Sequence, residues 1–294
     1  MKKIKKVGFF VNTTKTNAVG VVEGVSTWLK ERGIVPLLPE EQAVELGYPQ
    51  TGISKTEVVE QADMLLVLGG DGTLLSAAHT PQIENVPILA INIGTLGFLT
   101  DASLDQLYPT LKATLAGAYR IEHRMMLEVV VDGQPEVNQS PQPFRAFALN
   151  DVVIRHYTRL IELDAHIDGE LFIPYNADGL IIATPSGSTG YSLSCAGTIV
   201  APQLEAILLT PIAPHSLTVR PFIADGNAEI TVKMRAAYQS VDVFVDGQRE
   251  THSLTADAVI KVQKAERTIR LIRSQHHSYY RALREKLMLG IAVS

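Results

Sequence analysis

The apolar run Met64-Leu65-Leu66-Val67 ends abruptly in Leu68-Gly69-Gly70-Asp71-Gly72-Thr73, and Leu74-Leu75-Ser76-Ala77-Ala78 follows at once. A short apolar run stopped by glycines reads as a buried strand feeding a tight loop, and the residues beyond as the first turns of a helix. Glycines let backbone N–H groups approach a ligand, and a helix N-terminus favours negative charge, so the loop suits phosphate. A loop that only cradled phosphate would gain nothing from a carboxylate at its centre. Asp71 therefore reads as a group that acts on the ligand. Asp-Gly is also a common turn and Asp a good helix N-cap, but a cap accounts for none of the flanking glycines.

The first hundred residues repeat this alternation. Lys6–Asn12, Ile34–Leu38, Met64–Leu68 and Pro87–Ile93 read as strands. Between the first two, Val19–Glu31 reads as an amphipathic helix with Val22, Val25 and Leu29 on one face. Strands separated by helices predict βαβ units and a parallel sheet, whose ligands bind beyond the carboxyl ends of the strands. The loop Gly94-Thr95-Leu96-Gly97-Phe98-Leu99 lies at another such end. Neither the dinucleotide fingerprint G-x-G-x-x-G after the first strand nor a Walker A loop occurs.

From about residue 120 the texture changes to short β-type runs: Met126–Val131, Phe144–Arg155, Leu160–Ile167, Glu170–Ile173, Leu180–Thr184, Ser216–Phe222, Glu229–Met234, Ser240–Val245, Ala258–Val262 and Thr268–Ile272. Asp132-Gly133, Asp168-Gly169 and Asp246-Gly247 are hairpin signals, and many short strands at such spacing predict a sandwich. Ser103–Ala116 reads as a helix at the junction and Tyr279–Leu289 as a closing helix. The fold expected is α/β plus all-β. A Rossmann-like N-terminal α/β domain spans residues 1–101, completed by the C-terminal helix in 276–294, and a β-sandwich domain spans 102–275.

Within the β half, the stretch from Asn176 to Ser194 places a strand between Asp178-Gly179 and the hydroxyl-rich loop Thr184-Pro185-Ser186-Gly187-Ser188-Thr189-Gly190-Tyr191. Such a loop can bond the hydroxyls, amides and ring edges of a nucleotide without bringing charge. Asn150-Asp151 interrupts the alternation of Phe147–Ile154, where a carboxylate can take a ribose hydroxyl or a strand can simply turn.

At 294 residues, with 46% apolar and 19% charged side chains, the chain has material for about two domains. A net charge of −5 gives no electrostatic footprint for nucleic acid, and no apolar run approaches the length of a membrane helix. The basic cluster Lys2-Lys3-Lys5-Lys6 lacks the apolar stretch of a signal peptide, and Cys195 is the only cysteine. A soluble cytoplasmic protein is expected, with neither membrane nor nucleic acid as partner.

Gly69-Gly70-Asp71-Gly72-Thr73, Asn150-Asp151, the run Asp178–Tyr191 and Val245-Asp246-Gly247-Gln248 together resemble the NAD kinases, in the right order and over nearly the whole chain. The first motif is shared with diacylglycerol and sphingosine kinases; the second hydroxyl-rich run is more specific. The resemblance implies transfer of a phosphoryl group from ATP, or polyphosphate, to the 2′-hydroxyl of the adenosine ribose of NAD. Asp71 matches the general base, with Gly70 and Gly72 holding the substrate beside it. Asn150 and Asp151 match binders of NAD hydroxyl or amide groups, and Asp178, with Asn176 near it, the carboxylate on the nicotinamide side. Thr189, Gly190, Tyr191 and Ser194 match the lining of the adenine and ribose pocket; Arg159 and Gln248 also match binding positions.

Three positions depart from the family pattern. Asn150-Asp151 stands where Asn-Glu is common, Thr189-Gly190-Tyr191 where Thr-Ala-Tyr is common, and Ser76 where a basic or imidazole residue is common. Without a Walker lysine, glycine amides, basic residues and a divalent cation (magnesium or manganese) must neutralise the phosphates. That cation is expected to bind through the nucleotide phosphates without a dedicated protein cage. A homodimer or homotetramer is the assembly the resemblance implies. The alternatives are a lipid kinase of the diacylglycerol type and a non-catalytic NAD-binding sensor.

Overall fold

The computed structural model describes residues 3–94, 97–132, 143–235, 241–247, 249–254, 256–275 and 277–288. The chain forms two compact units, one of residues 1–123 with 269–294 and the other of 124–268. In the first unit the elements run β1 (Lys6–Val11), α1 (Ala18–Lys30), β2 (Val35–Pro39), α2 (Glu40–Glu45), β3 (Gly52–Ile53), α3 (Lys55–Gln61), β4 (Met64–Gly69), α4 (Asp71–Ala78), β5 (Ile88–Asn92), β6 (Ala102–Ser103) and α5 (Leu107–Leu115). The chain crosses to the second unit within β7 (Tyr119–Asp132).

The second unit holds β8 (Phe144–Ala148), β9 (Asp151–His156), β10 (Ile161–Ile167), β11 (Glu170–Ala177), β12 (Gly179–Ala183), the single turn α6 (Tyr191–Ser194), β13 (Ala206–Ile212), β14 (Phe222–Asp225), β15 (Ile230–Met234), β16 (Val241–Val245) and β17 (Glu250–Ser253). It ends within β18 (Val259–Ser274), which returns to the first unit and leads to α7 (Tyr279–Leu287).

The first unit is a parallel sheet in the order β5-β4-β1-β2-β3, with β6 beside β5 and the end of β18 pairing through Leu271 and Ile88. β4 and β5 are buried along their whole length, as strands covered on both faces must be. The order reverses between β1 and β4, which is where open α/β sheets bind ligands. α1 buries Ala18, Val22, Val25 and Leu29 at helical spacing, and α3 opens on a capping box between Ser54 and Glu57. α5, which a boundary at residue 101 leaves outside this unit, packs Leu107 and Leu111 into its core.

The second unit is a sandwich. One face is the sheet β14-β13-β12-β9-β16-β17. Alternate residues such as Val152, Ile154, Leu180, Ile182, Leu209 and Val243 meet Leu127, Leu163, Ile230, Val232 and Ile260 from the opposing strands. The outer face of the six-stranded sheet is covered in turn: Val153, Ile181, Ala183, Leu208 and Phe244 pack with Val200 from the segment that follows β12. Burial on both faces explains the apolar runs Val152–Ile154 of β9, Leu180–Ala183 of β12 and Ala206–Leu209 of β13. Asp168-Gly169 and Asp246-Gly247 form tight turns with both residues at positive φ, as the sequence predicts; Gly133 lies outside the described residues.

Three strand expectations change, and one strand was not expected. The run Phe144–Arg155 is two strands, broken at Leu149 and Asn150. The expected runs Ala258–Val262, from Val259 on, and Thr268–Ile272 belong to the single strand β18. Ser216–Phe222 is irregular up to Pro221, with the Arg220 guanidinium donating to the carbonyls of Leu217 and Val219, and β14 starts only at Phe222. Ala206–Ile212, which Pro211 disguises, is the strand β13.

Candidate functional site

In the first unit, β4 delivers Asp71 to the carboxyl edge of the sheet. Gly69 is required by packing, since a Cβ there would lie 2.1 Å from the Thr73 hydroxyl. Gly70 is the helix N-cap, and nothing in the protein stands within 4 Å of where its Cβ would be. Its φ of −108° is open to any residue, so the open space rather than strain is what glycine supplies at this position.

Asp71 is the first residue of α4 and does not cap it. Its carboxylate reaches instead to the loop after β5, where Oδ2 accepts the Phe98 N–H and Oδ1 the Leu99 N–H, both at 2.9 Å. A Cβ on Gly97 would fall 2.0 Å from Asp71 Oδ1, so this approach needs glycine. The loop is anchored from behind, because buried Arg273 donates to the Leu99 carbonyl at 3.0 Å. The Asp71 side chain keeps 28% of its surface exposed, so a hydroxyl can reach it.

The second unit builds a different acidic turn. Asp246, 2% exposed, accepts the N–H groups of Leu149, Asn150 and Asp151 at 2.8, 2.7 and 3.1 Å. This is what breaks the run 144–155 into two strands. Thr184 completes the turn, its N–H donating to the Asn150 carbonyl and its hydroxyl to the Leu149 carbonyl. Gly187 lies flat on it, since a Cβ there would be 2.1 Å from the Asn150 carbonyl oxygen. Asp151 is 4% exposed, and burial, with the Asp246 charge as the smaller cause, pushes its carboxyl up to about 7. Among the described residues, buried Asn150 Oδ1 has no hydrogen-bond partner.

The loop after β12 is more structural than its composition implies. The Ser188 hydroxyl donates to the Pro185 carbonyl, Ser192 bonds Thr210 of β13, and Ser186 accepts from Arg124. Thr189 donates to the Ser186 carbonyl. These hydroxyls hold the loop on the sheet; Tyr191 and Ser194 are exposed. Gly190 faces the acidic turn, because a Cβ on it would be 3.4 Å from Asn150 Nδ2 and 3.7 Å from Asp151 Oδ2. The structure thus brings Asn150, Asp151 and Gly190 together.

Asn176, Asp178 and Arg159 lie elsewhere. β9 and β12 pair antiparallel, Asp151 opposite Ala183 and Arg155 opposite Gly179. Asp178 precedes Gly179, its carbonyl accepting the His156 N–H, and His156 Nδ1 accepts the N–H of Arg159. The Asn176 carbonyl accepts the His215 N–H. These exposed side chains sit at the far end of the strand pair, roughly 13 Å from the acidic turn at ~3.3 Å per residue. Gln248 lies outside the described residues.

Sequence reasoning placed the 94–99 loop at a strand end but gave no role to Gly97 or Phe98. The place of both loops at strand ends lets them share a crevice, but the amide bonds to Asp71 have no local signal. A second omission is Lys286, whose Nζ is 3.8 Å from Asp71 Oδ2. Among the described residues no three His, Cys, Asp or Glu side chains converge to hold a metal ion. Both Asp71 oxygens accept amides beside that ammonium, so this donor set does not fit a cation held by the protein alone.

A doubly wound sheet with a carboxylate in its glycine loop, followed in the chain by a sandwich with a buried acidic turn, fits a phosphotransferase without a Walker lysine. Family models described as the ATP-NAD kinase N-terminal domain and the ATP-NAD kinase C-terminal domain match residues 7–119 and 149–274. The chain is 42% identical over 289 residues to the NAD kinase of Geobacter sulfurreducens, covering 98% of this chain and 99% of that protein. It is 42% identical over 289 residues to that of Moorella thermoacetica, covering 98% and 90%. This chain belongs to the ATP-NAD kinase family. Yeast NADH kinase, solved in complex with NADH, superposes with a TM-score of 0.89 at 26% identity, covering 100% of this chain and 90% of that one. The NAD kinase from Archaeoglobus fulgidus, solved with ATP, shares the fold with a TM-score of 0.73 at 24% identity, covering 96% and 98%.

Proposed function

We propose that this chain transfers the γ-phosphoryl group of ATP to the 2′-hydroxyl of the adenosine ribose of NAD, giving NADP and ADP. The observation that carries the reading is Asp71, fixed by two loop amides yet open to a hydroxyl, in a chain of this family. Asp71 takes the hydroxyl proton as the new O–P bond forms and the bond to ADP breaks, a role that contributes about 10²–10⁴-fold in rate. The open space above Gly70 admits the substrate, and Gly72 helps to hold it beside Asp71. Asn150 and Asp151 bind polar groups of NAD, the unpartnered Asn150 Oδ1 taking an N–H or O–H donor. Thr189, Gly190, Tyr191 and Ser194 line the adenine and ribose pocket. Asp178, with Asn176 near it, binds the nicotinamide side of the ligand, and Arg159 and Gln248 are further binding residues.

A divalent cation, magnesium or manganese, accompanies the phosphates of the donor and neutralises their charge. The lipid-kinase and sensor alternatives find no support among the relatives. We further propose that the protein makes NADP in the cytoplasm as a homodimer or homotetramer; a monomer by light scattering at working concentration refutes the assembly.

The test is NADP formation from NAD, ATP and Mg²⁺, coupled to an NADP-specific dehydrogenase, for wild type and Asp71→Asn. Wild type is expected to form NADP, and the variant to lose about 10³-fold in rate while still binding NAD. No NADP from folded wild type, with either ATP or polyphosphate, overturns the reading.

A further inference from the structure

We propose that Lys286 is a phosphate-binding residue of the phosphotransfer site, supplying from the C-terminal helix the positive charge that the glycine loop and α4 lack. The proposal rests on the kinase reading for its reaction, and on the following geometry for its site. α4 has the sequence Asp-Gly-Thr-Leu-Leu-Ser-Ala-Ala and carries no cation, and Ser76 is exposed where the family commonly places a basic or imidazole group. Phosphoryl transfer builds negative charge that must be neutralised at close range.

α7 answers this from the far end of the chain. Tyr279 and Ala282 of α7 are buried, and Lys286 follows Tyr279 at i+7. Its ammonium lies 4.2 Å from the centroid of the Phe98 ring and 3.8 Å from Asp71 Oδ2. Phe98 is thus used twice, its N–H fixing Asp71 and its ring seating Lys286.

Stability does not explain the arrangement. The two side chains are 30% and 28% exposed, and ion pairs that open to solvent add little to a fold. What the pair does is hold an ammonium beside the carboxylate that receives the hydroxyl proton. When the triphosphate arrives, the ammonium turns from Asp71 to the oxygens of the transferring group. It keeps its own proton throughout: the 2′-oxygen forms the new bond to phosphorus, the bridging oxygen leaves with ADP, and the hydroxyl proton goes to Asp71.

The experiment compares wild type, Lys286→Met and Lys286→Arg for NADP formation, thermal midpoint and binding of inorganic tripolyphosphate. Lys286→Met is expected to lower kcat at least 10-fold and to weaken tripolyphosphate binding at least 10-fold, with the thermal midpoint unchanged. Lys286→Arg is expected to restore both to within about 3-fold of wild type, because either cation can pair with phosphate oxygens. If Lys286→Met binds tripolyphosphate and turns over within 3-fold of wild type, the proposal is overturned. Wild type that forms no NADP refutes the kinase reading instead, and tripolyphosphate binding then decides the role of Lys286 alone.

Discussion

Asp71 and Asp246 use the same interaction for opposite ends. Each is a carboxylate that accepts backbone N–H groups from a distant stretch of chain. Asp71 takes two amides, keeps part of its surface open, and is itself the group being placed. Asp246 takes three, is buried, and places others: it bends Leu149–Asp151 so that β8 ends and β9 begins. A carboxylate that accepts amides is therefore not by itself a sign of chemistry. Exposure, and what its remaining lone pairs can reach, separate the placed carboxylate from the one that does the placing.

Substitution at Asp246 should break this comparison most severely. Asp246→Asn retains a residue that tolerates positive φ but sets an amide N–H₂ against donors that need an acceptor. A loss of about 2–3 kcal/mol in urea denaturation is expected, together with weaker NAD binding. In the first unit the expected loss is functional. Gly97→Ala puts a Cβ 2.0 Å from Asp71 Oδ1 and must push the carboxylate or its loop aside. A fall of about 10²-fold in kcat is expected, since misplacement by an ångström costs that much, with a smaller change in stability than Asp246→Asn gives. Equal stability losses in the two variants would show that both carboxylates serve the fold alike.

The two regions were not equally legible. Met64–Leu68 followed by three glycines announces a strand, a loop and a helix within fifteen residues, and the structure has all three. Asn150-Asp151 announces only an interruption. Its cause, Asp246, lies nearly a hundred residues away, and no local pattern can join them. The loop from Thr184 to Ser194 misleads by composition, because a hydroxyl that binds a nucleotide and one that ties a loop to a sheet look the same in sequence. The bonds of Ser192 with Thr210, Ser188 with Pro185, Ser186 with Arg124 and Thr189 with Ser186 separate the two uses. The strand Ala206–Ile212 was hidden by Pro211, and β18 looked like two strands because Lys264 and Glu266 interrupt its apolar alternation. Lys286 is legible only once α7 is placed.

A smaller effect should appear in the pH dependence of stability. Asp151 titrates in the unfolded chain near 3.8, and in the folded chain at about 7. Between these values the unfolded state gives up a proton that the folded state keeps, so folding weakens as pH rises, by about 4 kcal/mol across the window. Below the lower value this contribution is fully retained, and above about 7 it is fully lost. Asp151→Asn removes this component. The difference between pH 5 and pH 8 in denaturation free energy should shrink relative to wild type; an unchanged difference would mean that Asp151 is ionised throughout. In the Asp246→Asn background the same difference should be smaller than in wild type, because the neighbouring charge is the second cause of the shift.

The mildest test concerns Gly190. The family commonly has alanine there, and in this chain an added Cβ would stand 3.2 Å from the Gly187 carbonyl, 3.4 Å from Asn150 Nδ2 and 3.7 Å from Asp151 Oδ2. The Gly190 φ of −94° lies outside the left-handed region. The methyl costs a few tenths of an ångström of adjustment against one carbonyl and fills space beside the acidic turn, while reducing the freedom of the unfolded chain. Gly190→Ala should shift stability by less than about 1 kcal/mol and raise KM for NAD no more than a few-fold, with kcat retained. A large loss in kcat with NAD binding intact would mean that the turn held by Asp246 positions the reacting hydroxyl as well as the ligand. The two carboxylates would then divide the reaction between them, and the contrast between placing and being placed would no longer hold.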